Sequence, residues 1–484
     1  MAPSATATAA EPGARQRPGW WPLAVIASAH LMAVLDTTIM FVALPSIQHG
    51  LHLTVASRQW VVTAYTLALA GLLLPGGRLA DRFGARRTLI IGVVGFALAS
   101  AAGGAAASGG MLITARAVQG AFAAVLVSST KSLLVTVYRD EQERARALGI
   151  FTATLTAGLG AGLVLGGVIT STLSWRWCLY LNLAFSAFVI LVAPRRLPPS
   201  PRRAEVRIDL LSVLLAGAGM TGLVYGLGEA AAAGWGAARV AGSLAAAVLL
   251  LGGFVLRQRG HTGRLLPLRV ISDRNRGWGM ATLIVNALST FAMMLILTYQ
   301  LQSVLGWSAL QTGLALVPFA AGAALGSAFL APRLMRRYAP RWLITAAILI
   351  EAAGLVPLVW LTPHSGYLPL ILLATVVEGI GTGLAGPVTL SLALRGVPRP
   401  DSGAAGAATS AAGQLGSSVG AALFNTIAAT VVAGYLRGHP GVSAVTATVH
   451  GFGVAMAWGA VVLAVAAIPV ALFVNAPPAA SKPR

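Results

Sequence analysis

Long apolar runs separated by short polar segments dominate the chain. A helix needs roughly 20 mainly apolar residues to cross about 30 Å of hydrocarbon, and fourteen such runs can be drawn. They lie at 21–46, 58–79, 88–107, 111–137, 146–170, 177–193, 209–228, 238–256, 277–299, 308–331, 341–361, 367–393, 402–435 and 449–474. The pattern predicts an all-α polytopic membrane protein with fourteen transmembrane helices.

The runs fall into groups of six, two and six, which divides the chain into segments. We predict a disordered cytoplasmic tail at 1–19, an N-terminal six-helix bundle at 20–193, a cytoplasmic linker at 194–207, two additional helices at 208–257, a basic cytoplasmic loop at 258–276, a C-terminal six-helix bundle at 277–474 and a second cytoplasmic tail at 475–484. The first tail lacks the apolar core of a signal peptide, so the first run is expected to stay in the membrane.

Composition agrees with this pattern. Hydrophobic residues make up 57% of the chain and charged residues 10%, whereas about a quarter of the residues in soluble domains are charged. The lipid bilayer is therefore the expected solvent. The single cysteine, Cys178, excludes an intrachain disulfide and a cysteine metal site.

The placement of basic residues predicts the orientation. The formal net charge is +21, but with the N-terminus inside, 28 of the 34 Lys and Arg residues fall in cytoplasmic segments. The others lie outside or within helices, namely Arg58, Arg176, Arg239, Arg437, Arg116 and Lys131. The positive-inside rule then predicts that both termini are cytoplasmic. Topology explains the net charge, so no nucleic-acid partner is expected.

The short segment from Gly77 to Arg87 joins the second and third runs. It reads GRLADRFGARR, in which glycines permit a tight turn and one acid stands among four arginines. This spacing closely resembles the loop signature of the major facilitator superfamily. The resemblance implies a major facilitator fold with two six-helix bundles and two extra central helices. It also implies a cytoplasmic gate formed by Gly77, Asp81, Arg82, Gly84, Arg86 and Arg87.

Other segments extend the resemblance over nearly the whole chain. The first run carries Leu35-Asp36-Thr37-Thr38-Ile39, the fourth carries Arg116-Ala-Val-Gln119-Gly120 and the thirteenth carries Gln414-Leu415-Gly416. With the six-two-six grouping, these segments resemble the fourteen-helix drug:proton antiporters. The resemblance implies a proton-coupled exporter of antibiotics, toxic amphipaths or a secreted metabolite, working by alternating access in a bacterial plasma membrane.

The fifth run resembles the glycine-rich antiporter motif of that family. Gly158, Gly162 and Gly166 recur every four residues, and Gly167 follows them. Small residues at this spacing let a neighbouring helix approach closely. The departures from the family are two residues that stand where it usually has proline, Leu163 and Ala184.

Two charged residues of the N-terminal bundle are expected to pair. At 1.5 Å per residue, Asp36 lies roughly 21 Å above the cytoplasmic edge of the membrane, and Arg116 reaches about the same depth. Ionisable residues inside a membrane are costly and point to function. We hypothesise that protonation of Asp36 weakens its pairing with Arg116 and shifts the conformational balance. A purely structural ion pair is the alternative.

Further polar residues lie inside the remaining runs. Family architecture favours Glu378 as a second proton or substrate site, and Glu351 is expected to pair with a neighbouring polar group. Lys131 either extends its ammonium toward the cytoplasm or attracts an anionic substrate group. Four more residues are candidates either for a wet cavity or for hydrogen bonds between helices: Asn286, Tyr299, Gln300 and Gln414.

Other function classes fit less well. The one lysine followed by Ser or Thr, Lys131, is preceded by Thr130 rather than Gly, so no ATP-binding loop is present. The histidines are scattered without a metal-binding spacing, so a membrane enzyme is a remote alternative and no cofactor or metal is expected. A two-halved plan favours a transporter over a channel. The open alternative is a proton symporter or a facilitator for an endogenous metabolite.

Overall fold

The computed structural model describes residues 19–138, 141–200, 209–260, 272–397 and 402–476, and within these ranges all the regular structure is helical. The first eight helices are α1 Trp20–Gly50, α2 Val55–Phe83, α3 Ala85–Gly104, α4 Gly109–Val137, α5 Glu141–Thr172, α6 Trp175–Arg196, α7 Leu210–Ala233 and α8 Ala238–Gly260. The next six are α9 Arg274–Val304, α10 Ala309–Leu334, α11 Pro340–Trp360, α12 Tyr367–Leu394, α13 Ser402–Gly438 and α14 Ala444–Phe473.

Twelve of the described helices are long and apolar enough to cross a membrane. The other two, α2 and α5, have 29 and 32 residues, so they are long enough by length alone. The count of fourteen transmembrane helices stays a prediction. Outside the described residues lie 1–18 and 477–484 of the predicted tails, 201–207 of the linker and 261–271 of the basic loop.

We call α1–α6 the first half and α9–α14 the second half. We call the end of the bundle that carries Trp20 and Phe473 the terminal end, and the end that carries the α1–α2 loop the loop end. One apolar cluster lies inside the first half, around Met32 and Phe96. A second cluster crosses between the halves and includes Leu44 and Leu297. The two halves are therefore joined by apolar packing near the loop end.

Two seams run between the halves. In one, α2 packs along α13, and in the other α5 packs along α10. Glycine makes the second seam close, because a Cβ on Gly313 of α10 would lie 2.3 Å from the carbonyl oxygen of Leu163. On the first seam, Ser418 donates a hydrogen bond to Thr66 across 2.7 Å.

The extra pair, α7 and α8, packs as a hairpin against the α2–α13 seam. Leu67, Val224 and Ala422, from α2, α7 and α13, form one apolar cluster there. The Thr426 hydroxyl on α13 also donates to the Leu227 carbonyl oxygen on α7 across 2.6 Å. The hairpin therefore contacts both halves of the protein.

Ion pairs hold both ends of this hairpin. Arg257 contacts Asp209 at 2.7 Å at the terminal end, and Arg239 contacts Glu229 at 2.8 Å at the loop end. Asp209 also caps α7, because its side chain accepts the Ser212 N–H. The Arg257 guanidinium, through its hydrogen bonds, holds the pKa of Asp209 well below its usual range.

The end of α6 differs from the predicted boundary at 193. The helix continues to Arg196, and Arg195 donates to the Leu191 carbonyl oxygen across 2.8 Å. A basic side chain that donates to a carbonyl oxygen near the end of a helix stabilises the helix C-terminus.

Candidate functional site

Asp36 and Arg116 form an ion pair inside the first half. Arg116 Nη1 lies 2.5 Å from Asp36 Oδ2, and the side chains are 1% and 0% exposed. The contact predicted from the depths of the two residues is therefore present. Removing one partner of a buried pair leaves an uncompensated charge, which costs about 3–5 kcal/mol.

Amide side chains complete the shell around the Asp36 carboxylate. Gln119 Nε2 and Asn182 Nδ2 donate to Asp36 Oδ1 across 2.8 and 2.7 Å. Both amides also donate to the Ser100 hydroxyl across 2.8 Å. The carboxylate therefore contacts α4 and α6 directly, and the network that includes Ser100 joins α1, α3, α4 and α6.

The guanidinium of Arg116 makes its own set of contacts. Its Nε donates to the Val61 carbonyl oxygen across 3.1 Å, and its Nη1 donates to Gln119 Oε1 across 2.7 Å. Its Cζ lies 4.3 Å from the centre of the Tyr65 ring. The pair therefore also contacts α2, which forms one of the seams between the halves.

The second half contains two buried acids. Asn286 Nδ2 donates to Glu351 Oε1 across 2.6 Å, so the predicted polar partner of Glu351 is present. Thr290 donates to Glu378 Oε1 across 3.1 Å. Glu351 and Glu378 are both 0% exposed. Asn286 therefore joins α9 to α11 through a hydrogen bond to a buried acid.

A polar contact set links the halves at the loop end. Gln48 Oε1 accepts from Arg58 Nη1 across 2.9 Å and from the Tyr299 hydroxyl across 3.3 Å. Gln302 donates to the Val42 carbonyl oxygen across 2.9 Å. These bonds join α1 and α2 to α9. Tyr299 therefore lies at this interface, where only 4% of it is exposed.

Gln300 and Gln414, which were also predicted to line a cavity, lie in different parts of the second half. Gln300 donates to the Thr362 carbonyl oxygen within the second half, across 3.2 Å. Gln414, on α13, has a buried Oε1 with no hydrogen-bond partner among the described residues. The structure therefore does not bring these two amides to a shared contact.

Lys131 joins the halves in the terminal part of the bundle. Its Nζ donates to the Ser410 hydroxyl, which links α4 to α13. The neighbouring Thr130 hydroxyl is hydrogen-bonded to the ring of His30, on α1, at 3.3 Å. Lys131 therefore lies at the interface between the halves, and a movement of one half against the other would change the surroundings of its ammonium group.

The junction of α2 and α3, at Gly84, contacts the C-terminal end of α6 and the segment that follows it. Arg86 donates to the carbonyl oxygens of Pro194 and Leu197 across 2.7 and 3.1 Å. Gly84 has φ of +89° and lies so close to Ser200 that a Cβ would be 2.9 Å from its carbonyl oxygen. A side chain at position 84 would be strained and crowded.

The other members of this predicted gate differ in their surroundings. Arg82 and Arg87 are exposed, and Arg82 lies over the ring of Phe83 at 5.5 Å. A Cβ on Gly77 would meet nothing within 4 Å. The Asp81 side chain lies outside the described part of the structure.

The glycines of α5 pack against two different helices. Cβ atoms on Gly158, Gly162 and Gly166 would collide with Leu31, Thr38 and Ile39 of α1. A Cβ on Gly167 would instead lie 2.7 Å from the Ala309 carbonyl oxygen of α10. The motif therefore brings α5 close to α1 and also closes the seam with the other half.

The sequence reasoning missed part of the network around Asp36. Ser100, Gln119 and Asn182 were not assigned to it, although each is a polar residue within an apolar run. Polar residues inside such runs tend to find partners on other helices. That signal identifies them as bonded, but it does not say to which residue.

Known proteins with similar sequences are transport proteins. The family model described as Major Facilitator Superfamily matches residues 26–421 and 279–484. The Puromycin resistance protein pur8 of Streptomyces alboniger is 41% identical over 474 residues, which cover 96% of this chain and 94% of that protein. The Cephamycin export protein CmcT of Amycolatopsis lactamdurans is 40% identical over 415 residues, which cover 85% of each chain.

A solved structure shares the fold at much lower sequence identity. It is a bacterial homolog of the human lysosomal transporter Spinster, in an inward-facing and occupied conformation. The two structures have a TM-score of 0.66 and 17% identity over 95% of this chain and 97% of the other.

Proposed function

Because the chain belongs to the major facilitator superfamily, we propose that it is a proton-coupled exporter, a drug:proton antiporter that works by alternating access. It is a transporter and a multi-pass cell membrane protein, related to antibiotic resistance and export proteins. The proposal adds fourteen membrane spans with both termini in the cytoplasm, which makes the terminal end cytoplasmic. The fourteen long helices and the positive-inside count support this topology.

The observation that carries the coupling mechanism is the buried Asp36–Arg116 pair. The Asp36 carboxyl group is unexposed, lies against Arg116 and accepts hydrogen bonds from α4 and α6. Protonation would remove the charge that attracts Arg116 and would weaken the bonds that Gln119 and Asn182 donate. A proton can shift a conformational equilibrium only through such a difference in free energy between states.

The contacts between the halves supply the two gates of the alternating-access cycle. Tyr299, Gln48 and Arg58 close the loop end, which is the extracellular end in this proposal. Lys131 and Ser410 contact one another toward the cytoplasmic end. The segment Gly77 to Arg87 braces the cytoplasmic side through Arg86 and the α6 end. Opening one end while closing the other moves a central site across the membrane.

The proposed substrates are antibiotics, toxic amphipaths or a secreted metabolite. The relatives named for puromycin resistance and cephamycin export support this class. Lys131, at the interface between the halves, is the residue we assign to attract a carboxylate. Asn286, Tyr299, Gln300 and Gln414 remain candidates for the cavity wall.

The test is proton movement in inverted membrane vesicles that hold the transporter. Puromycin and cephamycin are added separately after a proton gradient has formed, and internal pH is followed by a fluorescent dye. Antiport predicts proton release on addition of a substrate, and Asp36→Asn abolishes it. Asp209→Asn, an acid outside the network, is the matched control and retains release.

Three outcomes would contradict the proposal. Uptake of a metabolite into cells with protons, in the same direction, would make the protein a symporter. Transport that does not depend on a pH gradient in vesicles would make it a facilitator. Release that persists in a folded Asp36→Asn variant would reject Asp36 as the coupling residue.

A further inference from the structure

Glu351 and Glu378 lie at facing positions on α11 and α12. A Cβ on Gly381 of α12 would lie 2.7 Å from Glu351 Cγ, and a Cβ on Gly354 of α11 would lie 2.7 Å from Glu378 Cβ. Each acid therefore faces a glycine of the opposite helix. Because glycine has no side chain, the two helices can approach closely at the level of both carboxyl groups.

One helix contacts both acids. Asn286 donates to Glu351 and Thr290 donates to Glu378, and both donors belong to α9. They are four residues apart, so they lie on the same face of that helix. The Thr290 hydroxyl also lies 3.3 Å from the Thr382 hydroxyl, one turn beyond Glu378 on α12. A displacement of α9 would therefore change the surroundings of both carboxyl groups together.

Each carboxyl group has one oxygen without a partner. Glu351 Oε2 and Glu378 Oε2 are buried and have no hydrogen-bond partner among the described residues, and the same holds for Ser289 Oγ on α9. An ionised carboxylate in an apolar interior needs bonds to both oxygens, and an unmet acceptor costs about 1–3 kcal/mol. A protonated oxygen instead carries an O–H donor and is neutral.

The interior of this half offers no balancing charge. Within the described residues, no basic side chain is in salt-bridge range of either acid, in contrast to Asp36 with Arg116. The other titratable residues of α9–α14 lie within about two turns of a helix end, at Arg274, Arg276, Tyr299, Arg333, Arg341, Tyr367, Tyr435, Arg437 and His450. Two buried carboxyl groups so placed do not both ionise readily.

We propose that Glu351 and Glu378 together form a second proton-binding site, separate from the Asp36–Arg116 pair, that holds at least one proton at neutral pH. The inference deepens the proposed function, because it assigns Glu351 to the coupling machinery beside Glu378. It gives each half of the transporter its own protonation site. Without a bound proton, the site in the first half is an ion pair of Asp36 and Arg116. The site in the second half has no cation, and it is neutral when both glutamates are protonated.

Infrared spectroscopy of the purified full-length protein in lipid nanodiscs tests this inference directly. A protonated carboxyl group has a carbonyl stretch that carboxylates lack and that shifts in heavy water. The substrate-free protein at neutral pH, in potassium chloride, should show this band. Glu351→Gln with Glu378→Gln should abolish the band, and Asp36→Asn should retain it. Thr290→Val keeps both acids and should shift the band without removing it.

Three results would overturn the inference. The first is a wild-type spectrum without the band, which means that both acids are ionised. The second is loss of the band when sodium replaces potassium, which would make the site a sodium site. The third is a band that persists in the double variant. Should that variant not fold, each single Gln variant, checked by its melting temperature, should shift the band or reduce its intensity.

This measurement is independent of transport. It uses no substrate and no proton gradient, so a failure of drug:proton antiport in vesicles leaves the infrared result standing. Conversely, a missing band leaves proton coupling through Asp36 intact. The two proposals can therefore fail separately.

Discussion

Arg58 of α2 lies over the ring of Tyr299 of α9, with its Cζ 3.6 Å from the ring centre. Both side chains also bond to the same oxygen, Oε1 of Gln48 on α1. The contact therefore joins the two halves at the loop end by a cation–π interaction and a shared acceptor. A desolvated cation–π contact is worth about 2 kcal/mol.

Arg58→Ala should loosen the loop end. Loss of about 1–2 kcal/mol from the closed state raises the open population by a factor of about 5–30. The measurement is labelling of Ser418→Cys by an impermeant maleimide on intact cells, in a Cys178→Ser background. Ser418 is 1% exposed and lies on the α2–α13 seam. We expect the labelling rate to rise by that factor.

Arg239→Ala is the control for the removal of an arginine at the same end. Its partner, Glu229, lies within the α7–α8 hairpin, so this pair does not join the halves. The control should label at the parent rate. Equal labelling of the Arg58→Ala protein and its parent would show that the contact with Tyr299 does not hold the loop end closed.

Arg116→Met should destabilise the protein more than the double variant Asp36→Asn, Arg116→Met. The single change leaves Asp36 as a buried carboxylate without its cation, which costs about 3–5 kcal/mol. The double change leaves a neutral amide instead. Melting temperatures in nanodiscs should therefore fall sharply for the single variant and recover in the double variant. Equal melting temperatures would mean that Asp36 is not ionised in the folded protein.

Gly167→Ala should weaken the α5–α10 seam. The added Cβ would lie 2.7 Å from Ala309 O and from Leu310 Cα, which are backbone atoms that cannot move by a change of rotamer. Overpacking of this kind costs about 1–3 kcal/mol. Gly242→Ala, where a Cβ meets nothing within 4 Å, is the matched control. The melting temperature should fall for Gly167→Ala alone, and a fall of equal size in both variants would contradict the close contact.

Asp209 predicts a pH dependence for the α7–α8 hairpin. Arg257 lowers the pKa of Asp209. The ionised carboxylate therefore stabilises the folded protein fully above the usual pKa of Asp, about 4, and this stabilisation is lost as the pH falls through the lowered pKa. Asp209→Asn keeps a helix cap but removes the charge, and Asp209→Ala removes both. The difference in melting temperature between wild type and Asp209→Asn should stay constant from pH 8 to about 5.

The size of this effect is small. The ion pair with Arg257 is partly exposed, so its loss should lower the stability only slightly, and loss of the cap should add about 1 kcal/mol in Asp209→Ala. Identical melting temperatures for Asp209→Asn and Asp209→Ala would show that the cap contributes nothing. A difference between wild type and Asp209→Asn that disappears already near neutral pH would contradict the lowered pKa.

The sequence predicts helices well because burial in lipid demands long apolar runs. The predicted run 209–228 corresponds to Leu210–Ala233, and 402–435 to Ser402–Gly438. α6 extends past its predicted run because Arg195 lies outside the apolar core, yet its side chain still donates to a helix carbonyl oxygen. The pairing of Asp36 with Arg116 was also predictable, because both depths follow from counting residues.

The lateral arrangement was not predictable in the same way. Nothing in the composition of α7 indicates that it packs on α2 and α13, because a helix surrounded by lipid can be apolar on every side. Likewise Glu351 and Glu378 are separated by a loop, and only the packing of α11 on α12 shows that each faces a glycine of the other helix. These relationships depend on helix rotation, which span counting does not supply.

The position of α7 and α8 makes the two flanks of the transporter unequal. Along one flank, a lipid chain or a drug dissolved in the membrane meets the hairpin before it reaches the junction of α2 with α13. Along the other, it meets α5 and α10 themselves. A compound that enters sideways from the bilayer is therefore shielded from one seam by the hairpin and has direct access to the other.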